Sequence, residues 1–438
     1  MRLYFFKIYQ FFKFIKIGYP ESPNKILKLL MESQFWSREK MENYQLDKLN
    51  RLLLTVFDSS IFYMKIYKNL NLSFINLEQF RSQIPLIDKK SVIENSNNFK
   101  TKNFSNRNMH ATSGSTGEPL VTYISGKSEA YREACRMRFR SWWGIKENDK
   151  NVYIGRSYSS SDVSLSSRVK KQLRARYDID IFTLNNNTII KYFNKIESFK
   201  PAFIRGYKSG VLEFSELMEK NNLRFKCFDL KVVIVTAEKL YEEERKYIEK
   251  ILGCKVANEY GAVEAGLFAY ECPNGSMHIN EEAVYMFTNG ENEAIVTEFF
   301  NDSVPLINYK NEDIILISDN YCSCGRTSRI ISDVKGRVSG YIKKSNGSRI
   351  NQLILPIIFR KFYEDKYKNT IRKYKVIQKG KTFTVKIVPL EDFNQECEDY
   401  VRKRMYEEIG DDIVVKFDIV DIIERDKSGK FTIFNREE

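Results

Sequence analysis

The chain has no uninterrupted apolar run long enough to cross a membrane, no internal repeat and no recognisable nucleic-acid-binding module. Its most apolar stretch, Met1 to Ile17, is broken by Arg2, Lys7, Lys13 and Lys16. It carries no acid, and no small-residue cleavage site follows, so neither a spanning helix nor a signal peptide fits. On a helical wheel Phe5, Ile8, Phe11, Phe12 and Ile15 oppose Arg2, Lys13 and Lys16. Such a helix would lie on an anionic membrane surface or pack on the body of the protein, and the second reading is preferred. The seven cysteines are an odd number without the pattern of a disulfide scaffold, so a reducing cytoplasm is expected. Peripheral contact with the inner face of a membrane through residues 1–17 stays open.

What is present is a chain of 438 residues, long enough for two or more domains, with 42% hydrophobic and 29% charged residues. The net charge is +14, from 71 basic and 57 acidic residues. Such a surface attracts phosphate-bearing partners. The basic residues are scattered rather than blocked, which argues for solvated faces and against nucleic acid as a partner.

Residues 18–100 read as helical, with residues 1–75 as a helical N-terminal region. From there to about residue 335, short strands alternate with helices: Asn151 to Gly155, Ala202 to Ile204, Val232 to Val235 and Lys255 to Asn258. The texture changes after Gly336-Arg337. Strands are expected at Tyr374 to Gln378, Thr382 to Val388 and Val414 to Ile419, and a helix at Gln395 to Ile409. The expected fold is α/β: a large domain of layered sheets and helices over residues 76–336, then a small, mobile α+β domain over residues 337–438.

The strongest local signal is Thr112-Ser113-Gly114-Ser115-Thr116-Gly117. Hydroxyl residues and glycines fill six successive positions, so backbone amides and hydroxyls can surround a triphosphate. No Gly-Lys-Ser/Thr follows, so this is not a Walker loop, and such runs alone are often linkers. Downstream come Val232 to Ala237 ending at Glu238, Asn258-Glu259-Tyr260-Gly261-Ala262-Val263-Glu264, and Pro305 to Tyr309 followed by Asp313. Gly336-Arg337 and Lys427-Ser428-Gly429-Lys430 complete the series.

In this order, over roughly residues 75–435, the set resembles the adenylate-forming superfamily. It is most similar to the phenylacetate–coenzyme A ligase branch and its CapK-like members of capsule polysaccharide biosynthesis. The resemblance implies an AMP-forming ligase that activates a carboxylic acid with ATP and Mg²⁺. It implies that Thr112 to Gly117 hold the β- and γ-phosphates, and that Glu238, Tyr260 and Gly261 lie at the adenine or the acyl adenylate. Glu264 would bind Mg²⁺, Asp313 the ribose hydroxyls and Arg337 ribose or phosphate. Lys430 would bridge the reacting carboxylate and the α-phosphate, on a domain that rotates about the segment after Arg337. Departures from the family pattern fall at Glu118, at Asn311-Glu312 before Asp313, and at Ser339-Gly340.

The acceptor implied is coenzyme A or a carrier-protein pantetheine. Transfer to an amine or hydroxyl of a sugar, as on a nucleotide sugar, and a degenerate nucleotide-binding scaffold are the alternatives. A homodimer stays open. Pocket residues are expected from Arg205 to Ser209, Val235 to Glu238 and the Tyr260 region, and Tyr207 and Phe268 would suit a flat or aromatic acid.

Histidine occurs only twice, and one of the two stands beside cysteines: Cys272 and His278, with Cys322-Ser323-Cys324 downstream. Three thiolates and an imidazole make a tetrahedral, structural Zn²⁺ set. The alternative is four reduced side chains packed as small hydrophobes. The resemblance favours zinc, because members of the branch carry cysteines at these places. Cys135, Cys227, Cys254 and Cys397 read as core or surface thiols.

Overall fold

The computed structural model describes residues 22–104, 108–111, 120–156, 175–226, 229–337, 341–344, 346–352, 354–365, 367, 370–426 and 429–437. The Met1 to Ile17 segment, the Thr112 to Gly117 loop with Glu118, Cys227, Ser339-Gly340 and Lys427-Ser428 lie outside these residues. Among the described residues no helix is long and apolar enough to cross a membrane.

The chain divides into two compact units. The larger holds the described residues up to Asn311, and Ile315–Val334; the smaller holds Glu312–Ile314 and the residues from Lys335 onward.

The larger unit opens with five helices: α1 (Pro23–Ser33), α2 (Arg38–Phe57), α3 (Ile61–Tyr67), α4 (Leu77–Gln83) and α5 (Lys89–Glu94). Side-chain caps at Ser22, Ser37, Asn76 and Asp88 start four of them. The pair β1 (Met109–Ala111) and β2 (Val121–Tyr123) precedes α6 (Gly126–Trp142), which Ser125 caps. Strands and helices then alternate: β3 (Asn151–Gly155), β4 (Arg176–Asp180), α7 (Ile189–Phe199), β5 (Phe203–Tyr207), α8 (Lys208–Lys220), β6 (Val232–Thr236), α9 (Glu242–Leu252) and β7 (Val256–Ala262). Six strands follow with no helix between them: β8 (Gly266–Glu271), β9 (Met277–Ile279), β10 (Val284–Thr288), β11 (Glu293–Glu298), β12 (Tyr309–Ser318) and β13 (Ile330–Arg337).

These strands form one 11-stranded sheet in the order β10-β11-β12-β13-β9-β8-β7-β6-β5-β3-β4. Its β4 to β7 half is parallel, and it turns antiparallel at β7–β8. The alternation expected to residue 335 therefore stops at β7. In the parallel half, Val152, Ile154, Ile204, Val233, Val235 and Val256 face α7, α8 and α9. Phe203, Val232, Ile234, Ala257 and Tyr270 face the other way, onto α1 and α6. Helices on both faces of a parallel sheet give the doubly wound pattern. The antiparallel half shares its core with Leu49, Leu53, Tyr63 and Phe80 of α2 to α4.

The smaller unit holds a hairpin, β14 (Tyr341–Lys343) with β15 (Arg349–Asn351), then α10 (Ile354–Asp365). β16 (Ile371–Lys379), β17 (Thr382–Pro389), α11 (Gln395–Ile409), β18 (Val414–Ile419) and β19 (Phe434–Glu437) complete it. Its four-stranded sheet runs β18-β17-β16-β19. Leu355, Phe359, Phe362, Val401 and Met405 of the two helices pack with Val376, Phe383 and Val385 of the sheet. This is the α+β unit expected from the sequence, and the α/β class of the whole holds.

Candidate functional site

Strand order fixes where ligand chemistry can gather. β3 lies between β4 and β5, so the chain leaves β3 toward one neighbour and returns on its other side. Such a reversal opens a crevice beyond the carboxyl ends of the strands, where doubly wound sheets bind ligands. Tyr153 of β3 is paired in register with Arg205 of β5, on the face turned toward α6. Arg205 forms a close ion pair with Glu259 of β7, its Nε 3.4 Å from Glu259 Oε2. Burial pushes the Glu259 carboxyl up, but the Arg205 guanidinium outweighs this and holds it below the ordinary carboxylate range.

At the end of β6, Ala237 takes φ 73°. A non-glycine residue there stores about 1–3 kcal/mol of strain, as residues at functional sites often do. The turn aims Glu238 at the start of α8. Its carboxylate accepts hydrogen bonds from the Ser209 amide (2.8 Å) and hydroxyl (2.9 Å). Glu238 thus carries a helix-anchoring contact.

Glu264 sits on the tight turn between β7 and β8. Arg132 of α6 holds that turn. Its guanidinium donates to the Val263 carbonyl at 2.9 Å and pairs with buried Glu298 at 2.7 and 2.9 Å, and Ser128 adds a hydrogen bond to the same carboxylate. The Tyr309 hydroxyl lies 3.4 Å from Glu264 Oε1. Tyr260 meets the Phe268 ring edge-on at 5.2 Å, and Asn311 Nδ2 reaches its hydroxyl at 3.4 Å. Gly261 has no room for a side chain: a Cβ there would stand 2.6 Å from the Gly266 carbonyl oxygen. Tyr260, Gly261 and Glu264 are therefore brought together. Phe268, expected in the acyl pocket, is fully buried in the core.

Asp313 lies in the short segment Glu312–Ile314 that groups with the smaller unit, next to Glu312 at φ 62°. Arg337 ends β13. Lys430 lies in the smaller unit on a compact turn. Its amide donates to Asp426 Oδ1 at 2.9 Å, and its carbonyl accepts from the Asp426 amide at 3.0 Å. Gly429 takes φ 88° to close the turn. A lysine fixed at its backbone on such a turn can present its ammonium group at a repeatable place.

The four residues Cys272, His278, Cys322 and Cys324 converge, with all ligand atoms within 4.8 Å of one another. Cys272 and Cys322 each open a glycine turn, closed by Gly275 (φ 81°) and Gly325 (φ 80°). Asn274 donates to Ser323 across the two turns at 2.9 Å. Cys272 Sγ and Cys322 Sγ are 3.8 Å apart, and Cys324 Sγ lies 3.2 Å from His278 Nε2. A tetrahedron of ligands about 2.3 Å from zinc has edges of about 3.8 Å, so the cluster fits the ion. His278 Nδ1 sits 3.0 Å from the Ser328 hydroxyl, an outer contact that fixes the ring. Burial, with Arg326 nearby, lowers the His278 pKa to about 4, which keeps the imidazole neutral and able to ligate. Burial raises the Cys272 thiol to about 12, a shift that a bound dication would reverse.

Arg132, Glu298 and Ser328 were not singled out from the sequence. A faint signal exists for the first: Arg132, Arg136 and Arg140 recur every fourth residue, on one face of α6.

Residues 342–437 match the family described as the CapK C-terminal domain. The chain is 26% identical over 270 residues to protein CapK of Staphylococcus aureus, covering 59% of each chain. It is 22% identical over 342 residues to phenylacetate–coenzyme A ligase of Thermus thermophilus, covering 68% of this chain and 71% of that one. The chain thus spans about three fifths of the length of the CapK protein it matches. Among solved structures, 2-hydroxyisobutyryl-CoA ligase bound to its acyl adenylate superposes with a TM-score of 0.72 at 15% identity, over 93% of both chains. The chain is thus similar in sequence to CapK and to phenylacetate–coenzyme A ligase and in fold to 2-hydroxyisobutyryl-CoA ligase, and its residues 342–437 match the CapK C-terminal domain.

Proposed function

We propose that the protein is an AMP-forming ligase that activates a carboxylic acid as its acyl adenylate and then transfers the acyl group to a thiol, that of coenzyme A or a carrier pantetheine. The observation that carries this reading is the Arg132–Glu298 clamp, which sets the Glu264 turn beside Tyr260 and Gly261.

In the first step a carboxylate oxygen bonds to the α-phosphorus of ATP while the α–β phosphoanhydride bond breaks and pyrophosphate leaves. Two anions must approach, so the work is positioning and charge compensation. Glu264 would hold the Mg²⁺, which supplies positive charge to the phosphates. Thr112 to Gly117 would cradle the β- and γ-phosphates, Asp313 would accept the ribose hydroxyls, and Arg337 would contact ribose or phosphate. Lys430 would neutralise the reacting carboxylate and the α-phosphate. In the second step the thiol sulfur bonds to the acyl carbon, AMP leaves with the bonding pair, and the thiol proton passes to solvent. We also assign a structural Zn²⁺ to Cys272, His278, Cys322 and Cys324. With four protein ligands it has no open position for substrate.

The test is AMP release. In the presence of ATP, Mg²⁺ and an accepted acid, coenzyme A should raise AMP release well above the level with acid alone. AMP released only when an amine or a sugar replaces coenzyme A would overturn the thiol acceptor. AMP release no greater with coenzyme A than with acid alone would contradict it as well.

A further inference from the structure

Three arginines gather around Glu259, next to Tyr260. Arg136 and Arg140 of α6 and Arg205 of β5 influence one another electrostatically, and all three lie near Glu259. Two carboxylates face them at close range. Glu259 is committed to Arg205. Glu133 is shared, 3.0 Å from Arg136 and 3.7 Å from Arg140. Arg136 also feels Glu129. Arg140 rests over the Phe203 ring at 5.4 Å, and among the described residues no hydrogen bond reaches its guanidinium.

Burial lowers the Arg140 pKa against the pull of Glu133, and Arg205 and Arg136 lower it further. Yet 28% of its ion-pair side chain stays open, as do 23% of Arg136 and 24% of Arg205. Each of the three guanidiniums is thus held deep among other groups while part of its side chain stays open. A second observation agrees. The Tyr270 hydroxyl is fully buried and has no hydrogen-bond partner among the described residues. It stands within electrostatic reach of Glu259, Arg136 and Arg205. A buried hydroxyl is rarely left so, and costs about 1–3 kcal/mol when it is. Glu259 directly precedes Tyr260, so the cluster begins beside the residue assigned to the acyl adenylate.

We infer that the activated acid carries a second negative group, remote from the reacting carboxylate, which seats on the guanidiniums of Arg140 and Arg136 between α6 and the β3–β5 face. This rests on the adenylation reading above. The substrate class is a dicarboxylic or otherwise dianionic acid, not a plain aliphatic or aromatic monoacid.

The test uses exchange of labelled pyrophosphate into ATP with acids matched except at one end: hexanoate against adipate, and phenylacetate against 4-carboxyphenylacetate. The diacid of each pair should be preferred in kcat/KM by about tenfold or more. Arg140→Gln should erase most of that preference, mainly through KM, and Arg140→Lys should keep part of it. A monoacid preference, or an unchanged preference in Arg140→Gln, overturns the inference and leaves adenylation standing. Exchange with no acid of either kind contradicts the adenylation reading instead. The subsite is then judged by calorimetry with 4-carboxyphenylacetate alone: weaker binding by Arg140→Gln supports it, and equal binding by both proteins overturns it.

Discussion

Several carboxylates central to this molecule are buried, and each is answered by an arginine distant in sequence. Glu282 takes Arg138 at 2.6 Å with Ser33, Glu281 takes Arg38 and Arg329 at 2.8 Å each, and Glu298 takes Arg132. Removing one member leaves an uncompensated charge in a dry place, which costs about 3–5 kcal/mol. Glu298→Ala should therefore lower unfolding stability by about that amount in denaturant titration. The double variant Arg132→Met, Glu298→Leu should recover most of it, since an apolar pair of similar volume is often neutral. A single variant within about 0.5 kcal/mol of wild type would show that the clamp does not hold the turn. Such pairs explain why these residues escaped the sequence reading. Nothing in the neighbourhood of Glu281, Glu282 or Glu298 announces a partner more than a hundred positions away, or on another strand. Glu264, Tyr260 and Gly261 could be proposed together from the sequence because they share one short stretch.

The elements legible in the sequence are those whose ends are punctuated. Gln395–Ile409 is a helix as expected because Asn394 accepts from the Cys397 amide and Gly410 follows at φ 138°. The β6 strand is a Val and Ile run, and β3 and β5 each place an Ile beside an aromatic residue. The antiparallel half was not legible. β10 and β11 are buried almost throughout, so they show no alternation, and Glu293 and Glu298 at the two ends of β11 shorten its apolar run. The cysteine turns between β8 and β13 were visible by spacing, because metal ligands must be close and few residue types can serve. The protein purified without chelator should hold about one zinc per chain. Cys322→Ser should lose that zinc and melt earlier, since an ion bound only by the folded state stabilises it. A metal-free wild-type protein by elemental analysis would remove the site.

At the scale of the whole molecule, the chain divides into two compact units. The larger carries the Glu264 turn and the arginine cluster, and the smaller carries Lys430 on its Asp426 turn. The small C-terminal α+β fold was readable from the change of texture after Gly336-Arg337, because it differs from the rest in strand and helix content. The grouping of Glu312–Ile314 with the smaller unit was not, since it depends on tertiary contacts that no local pattern records. The proposed adenylation depends on Lys430 of the smaller unit. The most direct measurement is acid-dependent exchange of labelled pyrophosphate into ATP by wild type and by Lys430→Ala, with ATP binding measured alongside. Exchange should require the acid and fall by about 10²-fold or more in Lys430→Ala, with ATP affinity nearly unchanged. Exchange undiminished in Lys430→Ala, or absent from the wild type with every acid, would contradict the proposed adenylation.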